Sequence, residues 1–281
     1  MTDFGGAKKP IEEHPDYAIA VLGVPFDEKS SYLRGAWGGP RAIRAVSTGK
    51  CYCAYTELGV DLEADTVLVD LGDVDVSGDP DKTFALTEKA VAGIVGRGAA
   101  PIVLGGDHSI TYPVVKAVAE KYGRLDILHF DAHPDLYDAL YGDRLSHACP
   151  FARILEDGLA ENLVQVGVRV ILTEHRETAR KHNVRMIEMK DIDAAPALSF
   201  ANPLYISFDL DALDPAFAPG VSHHEPGGLS TRQALRIIQS LKGRIVGCDV
   251  VELNPDRDPS GITAAAAFKI IKEIAGRIVR P

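Results

Sequence analysis

Residues 126–135 read Asp-Ile-Leu-His-Phe-Asp-Ala-His-Pro-Asp, an apolar run that passes directly into acids and histidines. The continuous apolar part predicts a β-strand over 126–131 that is covered on both faces, as strands of parallel sheets are. Because side chains alternate along an extended backbone, Asp131, His133 and Asp135 start on one face. Carboxylates at the end of a buried strand are costly unless a positive charge lies among them. The stretch therefore predicts a parallel sheet with a cation site at its edge.

Three other apolar runs end in the same way. Residues 101–104 lead through two glycines to Asp107 and His108, residues 204–209 end in Asp209 with Asp211 beyond it, and Glu252 follows residues 245–251. Ligands of parallel sheets bind beyond the carboxyl ends of the strands, so we expect these groups to share one rim. Four carboxylates and two imidazoles can hold two divalent cations. The predicted metal ligands are His108, Asp131, His133, Asp135, Asp209 and Asp211.

The order of apolar and helical patterns predicts the fold class. Strands are predicted at 18–24, 66–70, 101–104, 126–131, 163–167, 184–187, 204–209 and 245–251, and helices at 83–96, 112–121, 150–156, 174–182, 231–241 and 263–278. Strands that alternate with helices indicate parallel pairing through right-handed crossovers. We expect an α/β protein, a three-layer α/β/α sandwich with a mainly parallel eight-stranded sheet, in a single domain over residues 1–281. From length alone a closed eight-stranded barrel is also compatible.

Composition narrows the classes of function. The chain has 281 residues, of which 46% are hydrophobic, enough for a substantial core rather than global disorder. A net charge of −10 argues against nucleic acid as the default partner. No apolar run reaches the length of a membrane span, and the first residues lack a signal-peptide pattern. The cysteines do not form a disulfide framework, so we expect a cytoplasmic protein; they are Cys51, Cys53, Cys149 and Cys248.

A mixed set of Asp and His ligands suits Mn²⁺ and tolerates Ni²⁺ or Co²⁺. Two such ions about 3.5–4 Å apart can activate a shared water for attack on an electrophilic carbon or phosphorus. His147 follows the acidic run and is the candidate proton shuttle, unless it is a solvent-facing residue at the start of a helix. Glu252 can clamp a planar cation through paired hydrogen bonds, unless it forms a structural salt bridge.

These motifs together resemble the signatures of one family. Residues 105–109 (Gly-Gly-Asp-His-Ser), 131–135, 207–215 and 249–255 are similar to the signatures of the ureohydrolases, which include arginases, agmatinases and other guanidino-compound hydrolases. Residues 31–44 also resemble the N-terminal region of the agmatinase type. The resemblance extends from about residue 21 to about residue 278, with several separate motifs in the right order.

The resemblance implies an arginase-like fold, assembly into homotrimers or hexamers, and two Mn²⁺ ions per chain. It implies that His108 and Asp135 bind one ion and that His133 and Asp211 bind the other. Asp131 and Asp209 would bridge the two ions. It further implies that Glu252 holds the guanidinium group of a small-molecule guanidino substrate while His147 moves protons toward the leaving amine. The products would be urea and an amine.

Two loops bear on the substrate. Residues 219–228 read Pro-Gly-Val-Ser-His-His-Glu-Pro-Gly-Gly, so His223 and His224 replace the small residues of agmatinases and either contact the substrate or line a turn. In the loop 136–146, Asp138 or Asp143 would favour the distal ammonium of agmatine, whereas Arg144 would favour a carboxylate tail. This loop differs from the arginase type. The sequence therefore favours an agmatinase-like enzyme of polyamine metabolism that converts agmatine to putrescine.

The sequence is also compatible with other functions. Guanidinobutyrate, guanidinopropionate and arginine are alternative substrates within the same class. The deacetylases of acetylpolyamines and histones share the fold but use one zinc ion, and they do not need the second histidine and the full set of acids. A catalytically inactive subunit that partners an active ureohydrolase is the non-enzymatic alternative. The intact ligand set and Glu252 argue against that alternative.

Overall fold

The protein is described by a computed structural model that covers residues 4–8, 14, 16–48, 52–76, 78–194 and 197–281. Eight strands form one sheet in which every strand pair is parallel. The strands are β1 Ile19–Gly23, β2 Leu68–Asp73, β3 Ala100–Leu104, β4 Leu125–Phe130, β5 Ala160–Val168, β6 Arg185–Glu188, β7 Leu204–Asp209 and β8 Ile245–Val251. Their order across the sheet is β2-β1-β3-β8-β7-β4-β5-β6. Cys51 lies outside the described residues.

Helices cover both faces of this sheet. They are α1 Gly39–Val46, α2 Pro80–Gly96, α3 Thr111–Tyr122, α4 Pro150–Glu156, α5 Thr173–Lys181, α6 Thr231–Ser240 and α7 Ile262–Val279. Apolar residues of α1, α6 and α7 pack in one core and those of α2, α3, α4 and α5 in the other. Within the part of the chain that is described, no helix combines the length and the apolarity that a membrane crossing needs.

Alternation along the strands builds the two cores. In β1, Ile19 and Val21 face the core of α1, α6 and α7, whereas Ala20 and Leu22 face the core on the opposite side. Each fully buried aliphatic side chain of this kind contributes roughly 1.5–3 kcal/mol relative to an exposed one. Strands buried on both faces explain why their sequences read as continuous apolar runs.

The predicted three-layer α/β/α fold is confirmed, and the open sheet excludes the barrel alternative. The predicted strands β7 and β8 and the helix α4 have the predicted bounds, and the other predicted elements differ by a few residues at their ends. Helix α1 is absent from the sequence prediction, because it is only 8 residues long and starts with glycine and proline. Proline is nevertheless favourable in the first turn of a helix. The N–H groups of that turn have no acceptor within the helix, so a residue without an N–H loses no hydrogen bond.

The strand order places the ends of four strands side by side. β3, β8, β7 and β4 are consecutive in the middle of the sheet, although they are far apart along the chain. Because all four are parallel, their carboxyl ends meet at one edge. This topology positions the candidate active site.

A buried ion cluster ties α1 to β2. Arg44 is only 1% exposed, and its guanidinium donates to both carboxylate oxygens of Asp70 at 2.7 and 2.8 Å. It also donates to Asp73 Oδ1 at 2.5 Å and to the carbonyl of Gly72 at 3.0 Å. One guanidinium thus faces two carboxylates, so removing it leaves Asp70 buried without its cationic partner.

We therefore expect Arg44→Met to lower the free energy of unfolding by about 3–5 kcal/mol, the cost typical of breaking one side of a buried ion pair. Urea denaturation followed by circular dichroism measures this change. Arg41→Met is the matched control, because Arg41 lies on the same helix but is exposed. Equal destabilisation by the two substitutions would contradict the structural role of Arg44.

Candidate active site

The four central strands bring the predicted functional residues to one edge of the sheet. His108 follows β3 by a short turn, and Asp131 comes directly after β4. Asp209 is the last residue of β7, and Glu252 comes directly after β8. The predicted convergence of these groups on one rim is therefore what the structure contains.

A first cluster surrounds the buried ring of His108. Its Nδ1 atom lies 3.0 Å from Asp135 Oδ2 and 3.2 Å from both Asp131 Oδ2 and Asp209 Oδ2. This nitrogen is buried and has no hydrogen-bond partner of suitable geometry. One nitrogen and three carboxylate oxygens that face one another in this way suit a divalent cation better than a hydrogen bond.

A second cluster adjoins the first through a shared carboxylate. His133 Nδ1 lies 3.1 Å from Asp211 Oδ2 and 3.3 Å from Asp131 Oδ1. Asp131 thus offers one oxygen to each cluster. Asp209 directs Oδ2 toward the first cluster, while its Oδ1 accepts a hydrogen bond from the backbone N–H of Asp211 at 2.8 Å. All six predicted ligands therefore lie together.

The electrostatics of the two clusters favour added positive charge. Burial and the carboxylates of Asp211 and Asp131 raise the pKa of Asp209 well above its ordinary value. Burial alone would lower the pKa of His108, but the carboxylates around it raise that pKa well above its ordinary value. Both shifts reflect an excess of negative charge in a volume that water hardly reaches. Divalent cations would offset it, so the residues present fit a pair of such ions.

Sequence reasoning missed His129, a buried residue of β4. Its Nδ1 accepts from Gln165 Nε2 at 3.0 Å, so the protonated Nε2 donates to Asp131 Oδ2 at 2.9 Å. The ring is also stacked on Phe151 with centroids 3.8 Å apart. Although His129 lies close enough to His108 and Asp131 to share a metal, its role as a donor makes it a group that orients Asp131. Extending the two-residue spacing backwards from Asp131 would have found it.

A second missed set holds His108 in place. The Nε2 atom of His108 donates to Ser207 Oγ at 2.9 Å, and Ser207 Oγ donates to Asp249 Oδ1 at 2.7 Å. Tyr205 donates to the other oxygen of Asp249 at 2.6 Å. This chain of hydrogen bonds directs the proton of the ring to Nε2 and leaves Nδ1 for the carboxylate cluster. The sequence contained a sign of this set, because side chains alternate along β7 and Tyr205 and Ser207 therefore share a face with the predicted ligand Asp209.

The two candidate catalytic residues lie beside the clusters and beside each other. Glu252 Oε1 accepts a hydrogen bond from the backbone N–H of His108 at 2.9 Å and lies 3.5 Å from His147 Nδ1. The other ring nitrogen of His147 is 2.8 Å from Ser31 Oγ. Burial lowers the pKa of His147, but Glu252 outweighs this effect and raises it to about 9. His147 is only 9% exposed, which excludes the alternative of a solvent-facing histidine.

The adjacent histidines 223 and 224 have different surroundings. His223 stacks on His147 with ring centroids 5.2 Å apart, and its ring lies 5.9 Å from that of His133. His224 is exposed, and its Nε2 is 2.7 Å from the carbonyl oxygen of Pro219 in the same loop. His223 therefore lies between a candidate ligand and the candidate proton shuttle, whereas His224 contributes to the turn.

The loop 136–146 does not offer the free charges that its sequence suggests. Asp138 is paired with Arg144 and with Arg153, and Asp143 is paired with Lys29 at 2.7 Å. Since both acids already have cationic partners within the protein, neither is a free carboxylate for a substrate ammonium. The expectation that Asp138 or Asp143 receives agmatine is not supported by these contacts.

The all-parallel sheet and the paired His and Asp clusters at its edge define the class as an α/β protein with a candidate binuclear metal centre. A sequence model described as the Arginase family matches residues 17–276, and the chain belongs to that family. It is 46% identical over 270 residues to "Arginase 1, mitochondrial" of Arabidopsis thaliana, covering 90% of this chain and 76% of the relative. Identity to "Agmatinase, mitochondrial" of Gallus gallus is 39% over 259 residues, covering 85% and 74%.

A solved structure agrees with this assignment. The arginase from Medicago truncatula superposes with a TM-score of 0.87 at 44% sequence identity, covering 92% of this chain and 87% of that one. The predicted resemblance to ureohydrolases is thus confirmed. The agmatinase-like assignment stays a prediction, because relatives named arginase are at higher identity than the one named agmatinase.

The hydrogen-bond chain behind His108 leads to a prediction about metal affinity. Ser207→Ala removes the acceptor of the His108 ring and is expected to weaken metal binding by about 10–100-fold, as loss of a partner behind a metal ligand typically does. Competition with a chromogenic chelator measures the affinity. Ser240→Ala is the control, since Ser240 is exposed at the end of α6. Unchanged affinity in Ser207→Ala would show that this chain does not orient the ligand.

Proposed function

We propose that this chain is a ureohydrolase that uses two divalent metal ions to hydrolyse a guanidino compound to urea and an amine. The observation that carries the proposal is the sharing of Asp131 between the His108 and His133 clusters, with Glu252 and His147 beside them. Membership of the Arginase family supports the same reaction class.

The proposed ligand roles follow the two clusters. His108 and Asp135 would hold one ion, and His133 and Asp211 the other, with Asp131 and Asp209 between them. The distances of 3.0–3.3 Å around the two Nδ1 atoms support this division. We propose manganese as the metal, with nickel or cobalt as alternatives, because the donor set combines imidazole nitrogen with carboxylate oxygen.

Divalent ions, when bound, supply Lewis-acid activation of water at neutral pH. The chain's own residues then have separate tasks. Glu252 offers two oxygens to the N–H groups of the planar guanidinium, a pairing that fixes both position and orientation. His147, which lies 3.5 Å from Glu252, is placed to donate a proton to the departing nitrogen.

The proposed reaction balances in a single addition and elimination. A water oxygen forms a bond with the guanidinium carbon, and the bond from that carbon to the alkyl-substituted nitrogen breaks. The attacking water loses both of its protons. One returns His147 to its protonated form after His147 has protonated the departing nitrogen, and the other leaves with that nitrogen, so the product is an alkylammonium group. Urea contains the water oxygen.

The substrate is proposed at the level of a guanidino compound with a short charged tail. Relatives named arginase support arginine, and the relative named agmatinase supports agmatine, the first candidate from the sequence. A urea-release assay with arginine, agmatine and 4-guanidinobutyrate, using enzyme reconstituted with manganese, distinguishes these. Deacetylase activity with one zinc ion per chain, or absence of urea from every guanidine tested, would contradict the proposed function.

Domain organisation, assembly, location and partners complete the proposal. We infer one ureohydrolase domain over residues 1–281, which the common sheet and the family match over 17–276 support. A homotrimer or hexamer follows from the sequence resemblance. We keep the cytoplasm as the proposed location, although the plant relatives are named mitochondrial. Neither nucleic acid nor membrane is a proposed partner, in keeping with the net charge of −10.

Two substitutions separate metal binding from proton transfer. Asp131→Ala removes the carboxylate that both clusters share, so we expect loss of tight metal binding and of turnover together. His147→Ala should retain two metal ions per chain while lowering kcat by about 10²–10⁴-fold, the usual contribution of a general acid or base. Metal analysis by mass spectrometry and urea release measure the two properties. Full activity of His147→Ala would exclude its role in proton transfer.

A further inference from the structure

A cavity of about 330 Å³ opens beside His133. Its lining includes Tyr32, Ser222 and His223 together with two side chains of opposite charge, Glu225 and Arg257. Ligand sites of small molecules commonly have such volumes, with a few polar groups that fix orientation. The cavity therefore connects His133 of the second cluster with a pair of charges that the proposed reaction has not used.

Glu225 is held on a rigid loop. The guanidinium of Arg169 donates to the carbonyl oxygen of Glu225 at 2.6 and 3.0 Å, and to that of Asp211 at 2.7 Å. The same loop is closed by Asp214, whose Oδ2 accepts from the backbone N–H groups of residues 227 and 228 at 2.7 and 3.2 Å. Arg169 thus fixes the distance between Glu225 and a segment that carries a candidate metal ligand.

The backbone of Arg257 is fixed relative to Glu252. It ends the short 3₁₀ helix Pro255–Arg257, which directly follows the segment that carries Glu252. Asn254 caps this helix by accepting from the N–H of Asp256 at 3.1 Å. Its amide also donates to Ser222 Oγ at 3.1 Å, another residue of the cavity wall. The backbone of Arg257 is consequently held at a defined position relative to the candidate clamp, and its exposed side chain reaches the cavity wall.

The two charges are available to a ligand. Among the residues that the structure describes, neither the carboxylate of Glu225 nor the guanidinium of Arg257 has an ion-pair or hydrogen-bond partner. They also do not pair with each other, although both line the same cavity. By contrast, Asp138, Asp143 and Arg144 in the neighbouring loop all have partners.

We propose that Glu225 and Arg257 form the subsite for the head group of the substrate. Glu225 receives an α-ammonium group, and Arg257 binds an α-carboxylate through the paired hydrogen bonds that guanidinium groups favour. The substrate is then a guanidino α-amino acid rather than a guanidino amine. This inference rests on the proposed function, because it assumes that the guanidinium end of the ligand reaches Glu252.

Substrates that lack one charge test the two residues separately. In Arg257→Gln, the ratio of kcat/KM for L-arginine to kcat/KM for agmatine should fall roughly tenfold or more. The substitution removes the partner of the arginine carboxylate, and agmatine has no carboxylate that it could affect. In Glu225→Gln, the ratio for L-arginine to 4-guanidinobutyrate should fall by a similar factor, since guanidinobutyrate has no ammonium. Arg280→Gln, an exposed arginine paired with Asp65, is the matched control.

Ligand binding gives a second readout that does not depend on turnover. Calorimetry with L-ornithine and with putrescine should show that Arg257→Gln weakens binding of the amino acid more than that of the diamine. Specificity ratios that stay within twofold of the wild type in both variants would overturn the subsite. Wild-type enzyme that releases no urea from any of the three guanidines would instead refute the proposed function itself.

Discussion

The structure depends on the cost of gathering carboxylates where water is scarce. Asp131, Asp209 and Asp211 are 1–4% exposed, and their oxygens converge on the ends of the central strands. An isolated buried charge costs several kcal/mol even after the protein relaxes, so such a group persists only with compensating partners. The parallel sheet provides the convergence, and the histidine rings provide only part of the compensation. Divalent cations account for the remainder in the function proposed for this site.

Strain accompanies this arrangement. Asp135 and Glu252 both have positive φ, at 49° and 65°, a region that residues other than glycine rarely adopt. Each such conformation costs on the order of 1–3 kcal/mol and persists only where the surrounding structure enforces it. Both residues follow strands of the sheet, where the chain must turn sharply to direct a side chain toward the shared edge. At Glu252 the turn is held by hydrogen bonds, since its backbone N–H donates to the carbonyl oxygen of Gly106 at 2.8 Å and its carboxylate accepts from the N–H of His108 at 2.9 Å.

Much of this could be predicted from local pattern. The continuous apolar runs indicate the parallel strands, and the two-residue spacing of Asp131, His133 and Asp135 indicates a common face. Pairing across long sequence distances could not be predicted in this way. The pairing of Asp143 with Lys29 and the backbone contacts of Arg169 depend on which loops the sheet brings together. His129 was missed for a different reason, because a histidine within an apolar run reads as part of the core.

Arg169 holds the loop around residue 225 through its backbone and so allows the side chain at that position to change. Its guanidinium forms six hydrogen bonds, all to main-chain carbonyl oxygens, in the segments around residues 167, 211–213 and 225. A planar group with five donors can do this, and an ammonium cannot. Since none of these bonds depends on the side chain of the contacted residue, the side chain at position 225 can change without loss of the Arg169 contacts that hold its backbone. Enzymes of this kind can therefore change their preference for the tail of the substrate one substitution at a time. The residues proposed for hydrolysis keep their positions while this happens.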